Sequence, residues 1–272
     1  MNIINKIKII FQSFYIIPVF FVDFYKLIFN FVLYKSAQNF VQNNVTIKSI
    51  SIKDIFEDFN ESIESYTNLA DTSLPIDIAL IKSIVKSKKN VDYLEIGSFR
   101  GESLVNVIPY TNSTYSISLG KEELYSICKN RDFVDVESIL LDKTYNNFTK
   151  IDHNSQTFDF ESLNKKFDVI FVDGDHSEKG VYIDTKNVFK LLKDEESVIV
   201  WHDFGHSPTD FRYDVIAGAL KGMPKEEWKN IYRVRNTLCG IYSKKQITST
   251  LDKNIYKPNA TFKVYFEIEK SI

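Results

Sequence analysis

The chain has 272 residues, a formal net charge of -2 at pH 7 and an apolar fraction of 44%, enough for one α/β domain with a large core and additional segments. Lysine and arginine are spread along the chain without a basic stripe, which argues against a nucleic-acid-binding protein. The two cysteines, Cys128 and Cys239, form neither a C-x-x-C pair nor a disulfide framework, so we expect a reducing compartment, the cytoplasm.

The N-terminal segment is unusually apolar. Between Phe14 and Leu33 only Asp23, Lys26 and Asn30 are clearly polar, and they lie on one stripe of a helix. The length suits a membrane-spanning helix, but each of the two charges near its middle would cost about 2.5–3.5 kcal/mol on insertion scales. A helix that lies in the membrane interface avoids this cost. Packing on the rest of the chain, a dimer interface and a signal peptide are the alternatives.

The remaining segments alternate between strands and helices. Residues 1–70 are interpreted as the apolar helix and a polar lead-in that is helical at 52–59, and residues 71–245 as one domain. The predicted strands are residues 91–96, 114–119, 148–152, 167–172, 197–201, 231–235 and 238–243, and the predicted helices are residues 75–89, 102–108, 121–129, 178–192 and 210–220. This alternation is typical of a mostly parallel sheet with helices on both faces. Residues 246–272, which alternate apolar and polar side chains at 261–269, are predicted to form a further strand or a packing arm.

A glycine-containing turn follows the first strand of the domain, in the sequence Glu95-Ile-Gly97-Ser-Phe-Arg-Gly101. Gly97 allows the backbone to turn sharply and to approach a ligand closely, and the helix after Gly101 begins with free N–H groups. The spacing differs from the G-x-G-x-x-G of dinucleotide-binding loops, and the carboxylate of Glu95 would repel a pyrophosphate. The turn therefore favours a cationic or amino-bearing ligand, unless it is purely structural.

Acidic and imidazole side chains follow two later strands. Asp173, Asp175 and His176 come directly after one apolar run, and His202-Asp203 come after the next. Ligands bind at the carboxyl ends of the strands in open α/β sheets. His176 is the best candidate for a general base, because an imidazole with a pKa of about 6.5 accepts a proton near neutral pH.

The same strand ends suggest three other roles. His202 is the second candidate for the base. Asp173, His202 and Asp203 are candidate ligands of a divalent metal, for which the imidazole favours Mn²⁺, Fe²⁺ or Zn²⁺ over Mg²⁺. Capping of the next helix is the alternative for Asp173 and Asp175. Arg212 and Arg235 are interpreted as ordinary surface residues.

Three segments carry a resemblance to a known family. The sequences E-I-G-S-F-R-G, F-D-V-I-F-V-D-G-D-H and V-I-V-W-H-D-F resemble those of class I S-adenosylmethionine-dependent methyltransferases, and within that class the methyltransferase domain 24 group with a D-G-D-H motif. The resemblance covers residues 73–243. It implies a doubly wound, Rossmann-like α/β fold with seven strands in the order 3-2-1-4-5-7-6 and the last strand antiparallel. The apolar N-terminal helix would be an extension of this fold.

The resemblance also implies where S-adenosylmethionine binds. The residues expected at the cofactor follow the first four strands: Glu95, Gly97, Ser98, Gly101, Ser118, Asn154, Ser155 and Asp173. Ser118 departs from the family pattern, because the second strand usually ends in an acidic residue that holds the ribose hydroxyls. A neutral hydrogen bond is weaker than a charge-assisted one, and Glu122 or Glu123 is a candidate to compensate.

The leading hypothesis is methyl transfer to a hydroxyl of a small molecule or glycan precursor, with Asp173, His176 and His202 as catalytic candidates. The cofactor would be S-adenosylmethionine, with or without a divalent metal such as Mg²⁺ or Mn²⁺. Residues 1–34 are expected to contact a membrane surface or to join copies of the chain into a homo-oligomer. The alternative is a membrane-associated binding or assembly protein that keeps the fold without turnover, motivated by Ser118 and the apolar N-terminus. The glycine spacing and Ser118 disfavour an NAD-dependent enzyme.

Overall fold

The computed structural model describes residues 3–64, 73–141, 145–251 and 260–265, with the backbone alone for residues 3–23 and 133. The helices are α1 Ile3–Asn44, α2 Ile52–Ile55, α3 Pro75–Lys86, α4 Glu102–Val107, α5 Lys121–Cys128, α6 Arg131–Asp135, α7 Glu178–Val188 and α8 Tyr213–Lys221. The strands are β1 Lys48–Ile50, β2 Val91–Ile96, β3 Thr111–Ser118, β4 Phe148–Asp152, β5 Val169–Val172, β6 Val198–Trp201, β7 Ile231–Val234 and β8 Gly240–Tyr242. Short 3-10 segments occupy Ile108–Tyr110, Phe160–Leu163, Phe189–Leu191 and Lys225–Asn230.

These strands form one eight-stranded sheet in the order β1-β7-β8-β6-β5-β2-β3-β4. Strand β8 runs antiparallel to both β6 and β7, and the other neighbours in the sheet are parallel. Leaving β1 aside and counting the remaining strands along the chain, the order reads 3-2-1-4-5-7-6. The predicted doubly wound, mostly parallel sheet is therefore confirmed.

Strands β5 and β6 are apolar over their full length because both faces of the sheet are covered. In β5, Ile170 and Val172 belong to one hydrophobic core, together with residues of α7 and α8. Val169 and Phe171 belong to the other core, together with residues of α3 and α4. Alternate side chains of a strand point to opposite faces, so this short run contributes to two cores and brings its end, Asp173, to the edge of the sheet.

Strand β1 was not predicted. Its three residues pair in parallel with β7, with Lys48 opposite Tyr232, and Ser49 also bridges Thr250 in antiparallel fashion. The lead-in to the domain thus contributes an edge strand to the sheet. A three-residue strand is too short to show an alternating pattern, which explains why the sequence did not indicate it.

Two other predictions differ from the structure. The helix expected at 52–59 ends early, since α2 covers only Ile52–Ile55. Residues 261–265 are not in a strand, so the strand predicted at 261–269 is wrong for this part. Residues 266–269, like the predicted start of the domain at 71, lie outside the described residues.

Helix α1 is anchored at its carboxyl end. Ala37 and Val41 are buried in the core that includes α8, and the ring of Phe40 lies edge-on to that of Trp228 at 5.8 Å. Further back along α1, eight apolar or aromatic side chains between Phe24 and Leu33 are each at least 46% exposed. None of the helices in the described residues is both long enough and apolar enough to cross a membrane. The side chains of residues 1–23 lie outside the described set, so the predicted apolar extension stays a prediction there.

The loop before α8 rests against α1. The hydroxyl of Tyr34 donates a hydrogen bond to the carbonyl of Phe211 at 3.3 Å, and its ring lies edge-on to Tyr213 at 5.9 Å and 6.1 Å from His206. The amide of Gln42 donates to the hydroxyl of Tyr213 at 3.3 Å. This loop, residues 204–212, continues directly from β6.

Candidate active site

Backbone hydrogen bonds hold the tips of four adjacent strands together. They run from Gly97 N to Ile117 O (2.9 Å), from Asp173 N to Ile96 O (2.8 Å) and from His202 N to Val172 O (3.1 Å). Each donor is the first residue beyond its strand. The predicted site residues that follow β2, β5 and β6 therefore lie side by side at the carboxyl edge of the sheet, where ligands bind in this type of fold.

Gly97 is required by the contact between two of these loops. Its φ is +83°, a conformation that side chains with a Cβ rarely adopt. A Cβ at this position would lie 2.2 Å from the carbonyl oxygen of Asp173 and 2.7 Å from the Cα of Gly174. The close approach predicted for Gly97 is thus made to the D-G-D-H loop of this chain. Gly101, at φ +93°, precedes α4 and allows the second turn.

Glu95 is fully buried beneath the glycine turn. The hydroxyl of Tyr93 donates to its Oε2 at 2.7 Å, and the hydroxyl of Ser103 donates to its Oε1 at 2.6 Å. Burial outweighs these two hydrogen bonds and raises the pKa of Glu95 to about 8. The carboxyl group is therefore mostly protonated at neutral pH, which the sequence did not indicate, and its cofactor-binding role stays a prediction.

The end of β3 is linked to the glycine turn. The hydroxyl of Ser98 donates to that of Ser118 at 3.2 Å, and both groups are buried. Ser118 pairs in register with Asp152 of β4. Next to this point is a cavity of about 470 Å³ lined by Gly120, Lys121, Glu122, Glu123, Glu137, Lys150 and Asp152. Carboxylates thus surround the position where the family pattern expects one, although Ser118 itself is neutral.

The loop after β4 carries the predicted adenine-side residues. The side chain of Asn154 accepts a hydrogen bond from the backbone N–H of Gln156 at 3.0 Å, and the amide of Gln156 donates to Asp175 of the D-G-D-H loop at 2.9 Å. Ser155 lies in the same turn. Asp175 also accepts from the backbone N–H of Ser177 at 2.8 Å. Ser177 is the residue that caps α7, so Asp175 stabilises the turn before the helix and does not cap it.

His176 lies between two carboxylates. Its Nε2 is 3.3 Å from Oδ1 of Asp173 and 3.3 Å from Oδ2 of Asp203. The hydrogen bond to Asp173 and the charges of both carboxylates raise the pKa of His176 above its ordinary value of 6.5. The side chain is 42% exposed, so the ring is held by the protein on one side and open to a ligand on the other.

Arg212 completes this group. Its Nη1 donates to Oδ2 of Asp203 at 2.7 Å, and its side chain is only 21% exposed. Arg212 thus makes an ion pair, as an ordinary surface residue would, but its partner is a residue of the candidate site. Asp203 itself has a φ of +56°, which is uncommon outside glycine and is found at functional sites. Arg212 comes from the loop that rests on α1, nine residues after Asp203, and its spacing alone gave no signal.

His202 is enclosed by carboxylates. Its Nδ1 lies 3.1 Å from Oδ1 of Asp173 and 3.4 Å from Oδ1 of Asp203, and its Nε2 lies 3.3 Å from Oδ2 of Asp77. Although burial opposes the charge, the neighbouring Asp173 and Asp77 raise the pKa of His202 well above 6.5. Either predicted role, base or metal ligand, would require one of these contacts to break.

The pKa of Asp173 is shifted in the opposite direction, downward. Burial alone would raise its pKa, but His202 and His176 outweigh burial and lower the pKa of Asp173 to about 2. The carboxylate is thus ionised at all physiological pH values, between two imidazole rings. Asp77, which holds the far side of His202, was not predicted from the sequence, because it lies 125 residues from its partner.

The residue types also fit a metal ion. Among the described residues, Asp173, His176 and Asp203 each offer one ligand atom, and these atoms lie within 4.8 Å of one another. Two carboxylates and an imidazole suit Mn²⁺, Fe²⁺ or Zn²⁺. Arg212 already neutralises Asp203, however, and His202 neutralises Asp173. The site is therefore balanced in charge by its own side chains.

Comparison with known proteins identifies the domain. Residues 94–204 match the model of a family described as a methyltransferase domain. This segment begins within β2 and ends just after Asp203, so it contains the glycine turn, the D-G-D-H loop and His202. No curated protein matches the chain.

Solved structures are also similar to the chain, at low sequence identity. An O-methyltransferase from Bacillus cereus in complex with SAH is 12% identical, with 64% of this chain and 81% of that chain covered and a TM-score of 0.43. A putative O-methyltransferase from Klebsiella pneumoniae is 14% identical, with 64% and 80% covered and a TM-score of 0.42. The YcgJ protein from Bacillus subtilis is 16% identical, with 46% and 49% covered and a TM-score of 0.35, so this chain spans about half its length.

Proposed function

We propose that this chain, a class I S-adenosylmethionine-dependent methyltransferase through its domain at residues 94–204, methylates a hydroxyl oxygen of a small molecule or glycan precursor. One observation carries the proposal. His176 is held between Asp173 and Asp203 and is partly open to solvent, at the sheet edge where the glycine turn and the D-G-D-H loop meet. An imidazole in this position can accept the proton of an acceptor hydroxyl.

The residues around Gly97 fit the cofactor. Ser98, Gly101 and Ser118 line the turn beside it, Asp173 borders it, and Asn154 and Ser155 follow the neighbouring strand. When bound, S-adenosylmethionine supplies a methyl group on a positively charged sulfur. Glu122, Glu123 and Asp152, which line the cavity beyond Ser118, are the candidates to bind ribose hydroxyls in place of the usual acidic residue.

The other side chains of the site have different roles in the proposed reaction. The Nε2–H of His176 faces the two carboxylates, so the ring would accept the hydroxyl proton at Nδ1 while the acceptor oxygen bonds to the methyl carbon and that carbon leaves the sulfur of the bound donor. Asp173 and Asp203 orient the ring and stabilise the imidazolium that results, and Arg212 fixes Asp203. Most of the acceleration comes from holding the two reactants in line, since orientation can lower a barrier by about 7–11 kcal/mol.

A metal-assisted variant of this reaction is the alternative, favoured by the three ligand atoms of Asp173, His176 and Asp203. A metal ion there would lower the pKa of the acceptor hydroxyl, and with Nε2 of His176 bound to the metal the ring proton would lie on Nδ1, which could then accept no other. The two variants are thus mutually exclusive for His176. The pairing of Asp203 with Arg212 favours the variant without a metal.

Calorimetry of the full chain with S-adenosylmethionine is the first test, and we expect saturable binding that is unaffected by a chelator. Turnover is followed as release of S-adenosylhomocysteine with catechols and methyl glycosides as acceptors. Loss of turnover on chelation, with recovery on adding Mn²⁺, would favour the metal-assisted variant. Failure to bind the cofactor under any of these conditions would contradict the proposed function. Binding without methylation of any acceptor would favour the non-catalytic alternative.

We also propose that residues 1–34 bring the enzyme to the surface of an anionic membrane. At 100° per residue, the eight exposed apolar side chains between Phe24 and Leu33 cover a sector of about 240°. This is wider than the stripe that one partner helix covers. Helix α1 also has four lysines against one aspartate, a formal charge of +3 in a chain whose net charge is -2. Apolar area and positive charge together favour an anionic lipid interface.

Sedimentation with vesicles tests this contact. We expect the full chain to sediment with phosphatidylglycerol vesicles and less with phosphatidylcholine vesicles. Replacing Leu27 and Phe31 by glutamate should abolish binding, because both are more than half exposed. The control is Ile127→Glu in α5, which introduces the same charge at an apolar side chain that is 63% exposed elsewhere. Equal vesicle binding of all variants would contradict the proposal. So would a chain that is dimeric in solution and becomes monomeric only when α1 is altered, because α1 would then be a dimer interface.

A further inference from the structure

A line of buried side chains connects helix α3 to the candidate active site. Oδ2 of Asp77 lies 3.3 Å from Nε2 of His202, and Nδ1 of the same ring lies 3.1 Å from Oδ1 of Asp173. Asp77 is fully buried, and His202 is 8% exposed. The imidazole therefore bridges two carboxylates, one at the site and one behind it, and each ring nitrogen faces one of them.

Asp77 is itself fixed from two directions. Its Oδ2 accepts a hydrogen bond from the backbone N–H of Leu74, the N-cap residue of α3, at 3.0 Å. Its Oδ1 accepts from the backbone N–H of Leu238 at 2.8 Å, in the turn before β8. Both oxygens are thus oriented by rigid backbone, and the side chain cannot follow His202 if the ring moves.

We infer that Asp77 is a positioning residue for methyl transfer, which acts through His202 to set the orientation of the Asp173 carboxylate. This inference rests on the proposed function. Asp77 lies outside the segment that matches the family model, residues 94–204, and it does not contact the open face of His176. Its contribution is to fix one side of the His202 ring, so that the opposite nitrogen always points to Asp173.

The geometry also explains how a remote carboxylate affects the reaction. Asp173 contacts His176 and His202 through the same oxygen, Oδ1. If the ring of His202 turned, Asp173 would lose one of its two partners and His176 would lose a fixed neighbour. Misplacement by about 1 Å at a catalytic group can lower a rate by about 100-fold. Cofactor affinity should change much less, because Asp173 is one of several residues proposed to hold the cofactor.

The test compares the same change, aspartate to asparagine, at the beginning of α3 and at the beginning of α2. In Asp77→Asn, the amide oxygen still accepts a backbone hydrogen bond, but the charge opposite His202 is lost. We expect kcat to fall by about 10- to 100-fold, as for other residues that orient an active-site ligand, with KM for S-adenosylmethionine and its calorimetric affinity within about twofold of the original. The matched control is Asp54→Asn in α2, where Asp54 accepts from the N–H of Ser51, the N-cap residue of that helix, without contacting the site.

His202→Gln extends the test to the intermediate residue. Its amide can donate to Asp77 or to Asp173 but not to both, so we expect a similar loss of kcat. The double variant should lose no more than either single variant, because both changes break the same connection. The inference would be overturned if the fold-losses in kcat of the two single variants multiplied in the double variant, or if cofactor affinity fell as much as kcat. A normal kcat in His202→Gln would also overturn it, even if Asp77→Asn failed to fold. Absence of turnover in the unaltered enzyme and in Asp54→Asn would count instead against the proposed function.

Discussion

Replacing His176 by asparagine is expected to lower kcat by about 100-fold or more, within the range of about 10²–10⁴ that general base catalysis contributes. The substitution removes the one imidazole of the site that is partly open, at 42% exposure, while asparagine can still donate a hydrogen bond to Asp173 or Asp203. Cofactor affinity should change little. The measurement is release of S-adenosylhomocysteine at saturating cofactor, together with calorimetry.

The control for this prediction is His206→Asn. His206 is exposed and lies against the ring of Tyr34, so its loss tests the effect of removing an imidazole from the same region without touching the carboxylates. We expect less than a twofold change in kcat. Equal losses in the two variants, or full turnover in His176→Asn, would rule out His176 as the base.

The pH dependence provides a second measurement on the same residue. Asp173 and Asp203 raise the pKa of His176 above 6.5, and the ring accepts a proton only when it is neutral. Turnover should therefore increase as pH rises through this raised pKa and then level off. Stability should change in the opposite direction: the contribution of the protonated ring is fully present below pH 6.5 and is lost as pH rises through the pKa of the folded state. A rate that falls as pH rises would contradict the assignment.

Gly97→Ala is expected to be the most damaging single substitution at the glycine turn. The new Cβ would lie 2.2 Å from the carbonyl oxygen of Asp173, and the φ of +83° disfavours any residue with a Cβ. Neither loop can retreat, because β2 and β5 are paired in register and Asp173 N donates to Ile96 O at 2.8 Å. Overpacking costs about 1–3 kcal/mol, and the backbone strain adds about 1–3 kcal/mol.

Urea denaturation and cofactor calorimetry measure this effect. We expect Gly97→Ala to lower the free energy of unfolding by about 2–6 kcal/mol, from the sum of those two costs, and to abolish cofactor binding, because the two loops must separate. Gly120→Ala is the control for the unfolding measurement alone, since Gly120 lines the cavity beyond Ser118: the nearest atom to its new Cβ is the Cβ of Asp152 at 3.2 Å, and the φ is an ordinary -69°. An unchanged unfolding midpoint for Gly97→Ala would show that the loop contact is not required.

The sheet could be predicted because its central strands and turns are marked locally. Strand β5 is four consecutive apolar residues bounded by Asp168 and Asp173, and β4 was predicted with the bounds that the structure has, Phe148–Asp152. The glycine turn carries its own signal, since Gly97 and Gly101 occupy two of its three positive-φ positions, the third being Phe99. Strand β1 has no such pattern, because three residues that pair only at the sheet edge need no alternation.

The candidate site was predictable to the extent that it follows strand ends. Asp173, His176, His202 and Asp203 come directly after β5 and β6, so the topology alone brings them together. Which imidazole faces solvent was not predictable, because it depends on Asp77, a residue of another helix. The role of Arg212 depends in the same way on how the loop before α8 folds back onto Asp203. Contacts between residues far apart in the chain cannot be predicted from the local spacing of residue types.

The contact between α1 and the loop that carries Arg212 has a practical consequence. Phe211 and Tyr213 flank Arg212, and both contact Tyr34 of α1. Tyr213 also accepts a hydrogen bond from the side chain of Gln42. A shortened enzyme that begins after α1, prepared to remove its exposed apolar segment, would lose this support, together with Ala37 and Val41 of the core shared with α8. Trimming the amino end would thus change the reaction centre as well as the surface.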